Sequence, residues 1–359
     1  MKKYLKELLY YLLAGLIIWY CMILITDGVH IKQRIISSIE MCMNIIIPSL
    51  FAFMAVSGIV VSSGLYRLLS KPFSLFSRYM LGMPSSLFSI FLISNIAGYP
   101  IGAKLLSDMY DKRCIDVTTA QVMQCCCFGA GPAFLCYVVG LELYGNTTIG
   151  LIIFLSCAIS NAIIAAVVCR IADLKVTSEK SGIHFSSEII TDSVLSAGKS
   201  LVGVCTLIVF FSTFLSALDH YGLLGMISHR VGIKGADRFL RSMLDISNLS
   251  GLQSPSYAAI PVIAGVCSFG GICVFMQIKT LTANRYSLKY FLLTRPFACI
   301  LSYANCLWLK KIMLPESMQV FAESEKTFVK MNNFVPSVCL ILMIFLLKIK
   351  KRVAFSKRV

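Results

Sequence analysis

Apolar runs of about twenty residues recur along the whole chain, and two of them are interrupted by glycine, serine, asparagine or proline. A helix of about 20 apolar residues crosses the hydrocarbon of a bilayer, and runs that long leave a chain few other ways to fold. The crossings predicted are 8–26, 42–64, 118–140, 147–170, 198–217, 257–279, 288–310 and 334–348. Two further apolar pieces, 84–106 and 236–252, read as broken or re-entrant segments. Hydrophobic residues make up 57% of the 359 positions, more than a soluble core of that size uses. The expected architecture is an all-α polytopic membrane protein of about eight transmembrane helices plus two broken segments.

The net charge of +16 invites a nucleic-acid reading. Its placement argues against one, because Lys and Arg sit in short loops and at the termini rather than on one face. With the N-terminus inside, most of the 33 Lys and Arg fall on the inner side, the tail "KIKKRVAFSKRV" among them. The expected location is a bacterial cytoplasmic membrane, crossed several times, and the charge distribution puts both termini inside. The first apolar stretch is longer than a signal-peptide core and lacks a small-x-small cleavage site, so it reads as a retained helix. The fifteen cysteines include no CxxC pair and most lie in or beside apolar runs, where they act as small hydrophobes. With only four histidines, neither a zinc nor a redox site is expected, and no cofactor is implied.

The stretch "FLISNIAGYPIGAKLL" at 91–106 begins as a membrane helix and then breaks. Unwound backbone at membrane depth is tolerated only where protein buries it or where it lines a wet cavity. Gly98 and Gly102 permit a turn and close packing there, and Pro100 removes a backbone donor. The pattern then returns. "ISNIAG" at 93–98 is echoed by "ISNLSG" at 246–251, and "CFGAGPAF" at 127–134 by "SFGGICVF" at 268–275. An odd number of predicted crossings separates the echoes, so the two halves are expected to be inverted repeats. Paired broken segments in inverted halves point to a solute site near the bilayer midplane of a secondary transporter. The expected division is an N-terminal helix and connection (1–40), a first repeat (41–170), a cytoplasmic linker (171–197), a second repeat (198–312) and a loop, last helix and basic tail (313–359).

Individual polar residues within these segments carry the chemistry. A lysine at membrane depth costs about 2.5–3.5 kcal/mol on insertion scales, so Lys104 suits an anionic solute; the duller reading is that it snorkels beside Asp108. Asn95 and Asn248 occupy equivalent positions in the echo and are expected to face one another, with Ser94 and Ser247 adding hydroxyls. Asp245 is a candidate for a coupling ion, against a plain ion pair with Arg241 four residues earlier. Arg295 is an anion candidate, against a kinked helix end at Pro296; Gln124 and Gln277 are weaker polar candidates. The run Cys125-Cys126-Cys127 has no assigned role. "SAGKS" at 196–200 lacks the first glycine of a phosphate loop, and no HExxH or GxSxG is present, so no enzyme is predicted.

"IIIPSLFAFMAVSGIV", "AGYPIGAKLLSDMYDKRCI", "GAGPAF" and "SFGGICVFMQ" together resemble the sporulation integral membrane proteins of the YlbJ/SpoVV type. That group belongs to the nucleoside-recognition gate proteins related to concentrative nucleoside transporters. The likeness runs from about residue 40 to residue 300 and is most specific at GYPxGAK. It implies site elements at Gly98, Tyr99, Pro100, Gly102 and Lys104, then Gly131 and Pro132. In the second half it implies Asp245, Ser247, Asn248, Ser268, Gly270, Gly271 and Gln277. Where the family carries Asn or Thr before the Gly-Pro, this chain has Cys126, Cys127 and Phe128, and Phe275 stands at a family histidine. The resemblance implies transport of dipicolinic acid, a small dianion, across the outer forespore membrane during endospore formation. The expected partners are thus a small polar or anionic solute, the lipid bilayer and H⁺ or Na⁺ as coupling ion, with homo-oligomerisation left open. The alternatives are a non-transporting sporulation scaffold and a transporter of nucleosides or other small solutes.

Overall fold

A computed structural model describes residues 2–176, 183–231, 236–251 and 256–314. The expected crossing at 334–348 and the basic tail lie outside the described residues. Helices fill nearly all of what is described, and the only strand-like pairing among those residues is a single bridge between Ile115 and Val176. The first helices are α1 (Lys2–Thr26), α2 (Gly28–Ser62), α3 (Tyr66–Leu81) and α4 (Ser85–Ala97). Then come α5 (Ile101–Asp111), α6 (Val117–Cys126), α7 (Phe134–Leu143) and α8 (Thr147–Ile171). The second half holds α9 (Ser187–His220), α10 (Leu223–Val231), α11 (Ala236–Leu244), α12 (Ile260–Phe269), α13 (Gly271–Thr282) and α14 (Lys289–Met313).

Five spans among the described residues are long and apolar enough to cross a bilayer: 28–62, 147–171, 187–220, 257–282 and 289–313. The pair α3 and α4, bent by 91° at its break, makes a sixth if counted as one span. The chain is thus an all-α protein with several helices suited to a membrane. Helix α14 displays the reason in its spacing. Phe291, Arg295, Ala298, Ser302, Cys306 and Leu309 recur every three or four positions and are buried, while Leu293, Phe297, Ile300 and Ile312 on the other side are exposed. An apolar surface of that kind suits lipid rather than water.

Three segments differ from the sequence expectation. The run 118–140 is not one crossing: α6 stops at Cys126 and α7 starts at Phe134. Pro132 has no N–H to donate and pushes Gly131 out of helical geometry, so apolar composition there does not buy continuity. Conversely, α2 starts at Gly28 and α9 at Ser187, well outside their apolar windows, because the polar stretches before them contain no helix breaker. Residues 40 and 197, expected as boundaries, both fall inside helices.

Helices α2 and α9 pack antiparallel along most of their length. Asp27 beside α2 meets His220 at the end of α9, Gly58 meets Ser193, and the Ser63 carbonyl accepts from the His184 N–H. Where the α1–α2 turn meets the end of α9, a cavity of about 500 Å³ is lined by Asp27, His30, Gln33, Arg34, Asp219 and His220. Helices α6, α8, α12 and α14 form a second group, and a large apolar core is shared by α7, α8, α12, α13 and α14. Between the two groups lie α5 and α13, which touch each other; α5 also packs on α2 and α6, and α13 on α9 and α11.

Candidate functional site

The second arms of two broken helices, α5 and α13, touch each other, and contacts link the breaks themselves. The first is Gly98-Tyr99-Pro100, between α4 and α5. Gly98 has φ +83°, and a Cβ on it would lie 2.5 Å from the Gly131 nitrogen, so only glycine satisfies both the turn and the contact. The Tyr99 N–H donates to the Gly129 carbonyl at 2.6 Å. Gly102 lies directly against the Cys127 carbonyl. The tip of this break is therefore fastened to the interruption between α6 and α7, which the sequence did not predict as a break.

That second interruption touches the third. Gly270, with φ +85°, ends α12 and lies against the ring of Phe128, leaving no room for a side chain. Its neighbour Gly271 lies against the carbonyls of Ser242 and Met243, where α11 gives way to the 3-10 turn Ile246–Gly251. Four interruptions thus form one chain of contacts, from 98–100 through 127–132 and 270–271 to 243–246.

Polar side chains hold this junction. Asn161, from the middle of α8, donates to Asn95 Oδ1 at 2.7 Å and to the Phe128 carbonyl at 2.5 Å. Asn95 in turn donates to the Phe91 carbonyl at 2.8 Å and the Cys126 carbonyl at 3.4 Å. Two backbone carbonyls freed by the end of α6 are thus satisfied by amides from other helices, as dry surroundings demand.

Arg295 completes the arrangement. It is only 2% exposed and lies in α14, which runs unbroken past Pro296. Its guanidinium donates to the Ser268 carbonyl at 3.2 Å and makes a short bond to the Cys125 carbonyl, with Thr294 Oγ1 at 3.4 Å. The carbonyls belong to the last turns of α12 and α6, the two helices that end at breaks. The guanidinium also stands 4.7 Å from the ring centres of both Phe128 and Phe291. Tyr99 stacks on Phe128 at 4.9 Å. The Tyr99 hydroxyl, Asn161 Oδ1, Gln124 Nε2 and Arg295 Nε are all buried without a hydrogen-bond partner.

Other predicted residues find different surroundings. Lys104 is buried and its ammonium is taken up by Asp108 at 3.0 Å and Ser196 Oγ at 2.8 Å. Asn248 does not face Asn95; it donates back to the Asp245 carbonyl at 3.0 Å, and Asn161 takes the place expected for it. Asp245 is not paired with Arg241. Its carboxylate accepts from the Ser247 N–H at 3.1 Å and the Ser247 hydroxyl at 2.7 Å, while Arg241 reaches across to Asp219 on α9. The Ser268 hydroxyl pairs closely with Ser302, and Gln277 Nε2 meets the Cys273 sulfur at 3.4 Å. Gly131 packs against the Ala97 carbonyl, next to Pro132 at the start of α7.

Sequence reasoning missed Asn161, yet a signal existed: "ISN" stands at 159–161 as well as at 93–95 and 246–248. A lone amide in the middle of an apolar span is a functional hypothesis in its own right. Compared with known proteins, the chain matches no family model, no curated protein and no solved structure.

Proposed function

We propose that this protein is a secondary transporter of a small polar or anionic solute, working by alternating access between two inverted halves. The observation that carries the reading is the chain of contacts that links four helix interruptions through 127–132 and 270–271, with buried donors and acceptors left unpartnered around it. Irregular backbone at membrane depth needs a purpose that outweighs its cost, and paired broken helices are how transporters present backbone and side-chain groups to a solute. The resemblance to sporulation membrane proteins names dipicolinic acid as the solute to try first. Within this reading the contact residues are Tyr99, Asn161 and Arg295, with Asn95, Gly98, Gly131 and Gly270 shaping the junction. An H⁺ or Na⁺ gradient, or the solute gradient itself, supplies the energy.

The test is uptake of radiolabelled dipicolinate into proteoliposomes holding the purified protein, with and without imposed H⁺ and Na⁺ gradients. Saturable uptake in wild type, lost in Asn161→Ala while the protein stays folded, supports the reading. A folded wild type that takes up neither dipicolinate nor any nucleoside or small acid in a solute screen overturns it in favour of a scaffold.

A further inference from the structure

The surroundings of Arg295 raise an electrostatic question that the transporter reading leaves open. A guanidinium 2% exposed, with no carboxylate among the described residues in ion-pair contact with it, needs its charge balanced by something. What it has is the ends of two helices. The C-terminus of a helix is equivalent to roughly −0.5 elementary charge, and Arg295 bonds carbonyls in the last turns of both α6 and α12. Two such ends together supply about one negative charge, the amount required. The ring faces of Phe128 and Phe291 add the weaker attraction of cation–π contact. Neither helix end alone suffices. The charge is balanced only while both interrupted helices point at it.

We propose that Arg295 is an anion-released latch: it clamps the ends of α6 and α12 together in the closed arrangement, and an incoming oxyanion substitutes for both helix ends and frees them. The geometry supplies the point of attachment. Arg295 Nε is unpartnered, so one edge of the guanidinium still offers a donor to a carboxylate or other oxyanion. A single anionic group brings the whole charge that the two dipole ends supply jointly, and with it the carbonyls of Cys125 and Ser268 lose their hold. The latch rests on the transporter reading for its purpose, which is to couple the arrival of solute to the parting of the breaks.

The chain carries its own reporters. Cys125 and Cys127 lie at the clamped end of α6 and are 1% exposed, and Cys42, in α2, is 3% exposed. The experiment measures alkylation by N-ethylmaleimide at each cysteine by mass spectrometry, in purified full-length protein, for wild type, Arg295→Gln and Arg295→Lys. If the latch exists, Cys125 and Cys127 react about tenfold faster in Arg295→Gln, with Cys42 unchanged. Arg295→Lys keeps the charge but not the planar fork, and decides the matter if Arg295→Gln does not fold; a several-fold acceleration confined to Cys125 and Cys127 is expected. Adding dipicolinate or benzoate to wild type gives a saturable acceleration at the same two cysteines, and uncharged nicotinamide gives none. Unchanged rates in the folded variants, rates that rise equally at Cys42, or a wild type indifferent to both acids overturn the latch. The failures separate cleanly: uptake without an alkylation response sinks the latch and keeps the transporter, whereas an alkylation response without uptake does the reverse.

Discussion

Asn161 donates its side-chain amide to Asn95 Oδ1 at 2.7 Å and to the Phe128 carbonyl at 2.5 Å, joining an unbroken helix to two broken ones. One side chain thereby fixes the spacing between the end of α4 and the interruption that follows α6. Its own Oδ1 has no partner, so the junction is held by donors and leaves an acceptor over.

Asn161→Ala removes both donated bonds and strands two buried acceptors. Leaving a buried polar group unsatisfied costs about 1–3 kcal/mol, and the variant is expected to unfold at lower denaturant by that amount. Unfolding in detergent by sodium dodecyl sulfate titration measures it; a variant as stable as wild type would show that the amide is not holding the breaks.

Gly98→Ala and Gly145→Ala separate crowding from backbone cost. Both glycines have positive φ, +83° and +66°, where an L-residue costs about 1–2 kcal/mol. A Cβ at Gly98 strikes the Gly131 nitrogen at 2.5 Å, and one at Gly145 meets nothing within 4 Å. Gly145→Ala should lower the melting temperature by no more than a few degrees, since even chains of about 150–250 residues lose only about 2–4 °C per kcal/mol, whereas Gly98→Ala should fail to give a monodisperse folded protein. Equal behaviour of the two would contradict the close contact of the breaks.

Lys104 and Asp108 form an asymmetric pair, with side chains 7% and 27% exposed. Removing the more exposed partner strands the more buried charge, which is the costlier loss. Asp108→Asn should therefore destabilise more than Lys104→Met, by at least ~1 kcal/mol in the same detergent titration. The opposite order would mean that Lys104 reaches water by a path this arrangement does not provide.

Acid should loosen the end of the α2–α9 pair. The hydrogen bond from His30 holds the Asp27 carboxyl below its ordinary value of 3.8, with the charges of His30 and His220 adding to the effect. A carboxyl depressed by folding stabilises above its unfolded value and loses that contribution as pH falls through the folded one. The charged and titratable groups around it are His30 and Arg34 on α2, Asp219 and His220 on α9, and Arg241 on α11, which pairs with Asp219. The Asp27 contribution should thus be complete above about pH 4 and fade below it. Melting curves from pH 3 to 7 check this, with Asp27→Asn expected to flatten the acid limb.

What the sequence revealed follows the range over which each cause acts. The break at Gly98-Tyr99-Pro100 was legible because glycine and proline act on their own backbone. The break after Cys126 lies in the echoed stretch "CFGAGPAF", yet apolar composition over 118–140 masks it, because that signal outweighs two glycines and a proline. Arg241 and Asp245 have the spacing of an ion pair, but Asp219 from a distant helix competes for the guanidinium and wins. Local spacing cannot show a rival two helices away. The same holds for Asn95, whose partner proved to be Asn161 rather than its counterpart in the echo, Asn248.

The antiparallel pair of α2 and α9, 35 and 34 residues long, has a mechanical consequence. At 1.5 Å per residue each helix is about 50 Å in length, against a hydrocarbon thickness of about 30 Å. Upright, some 20 Å of the rod stands beyond the hydrocarbon; lying wholly within it would take a tilt steeper than the usual range of about 0–40°. Two helices packed over that distance would tilt together rather than singly. A pivot at mid-length through about ten degrees would carry each tip roughly 4 Å, and one of those tips borders the cavity at Asp27 and Asp219.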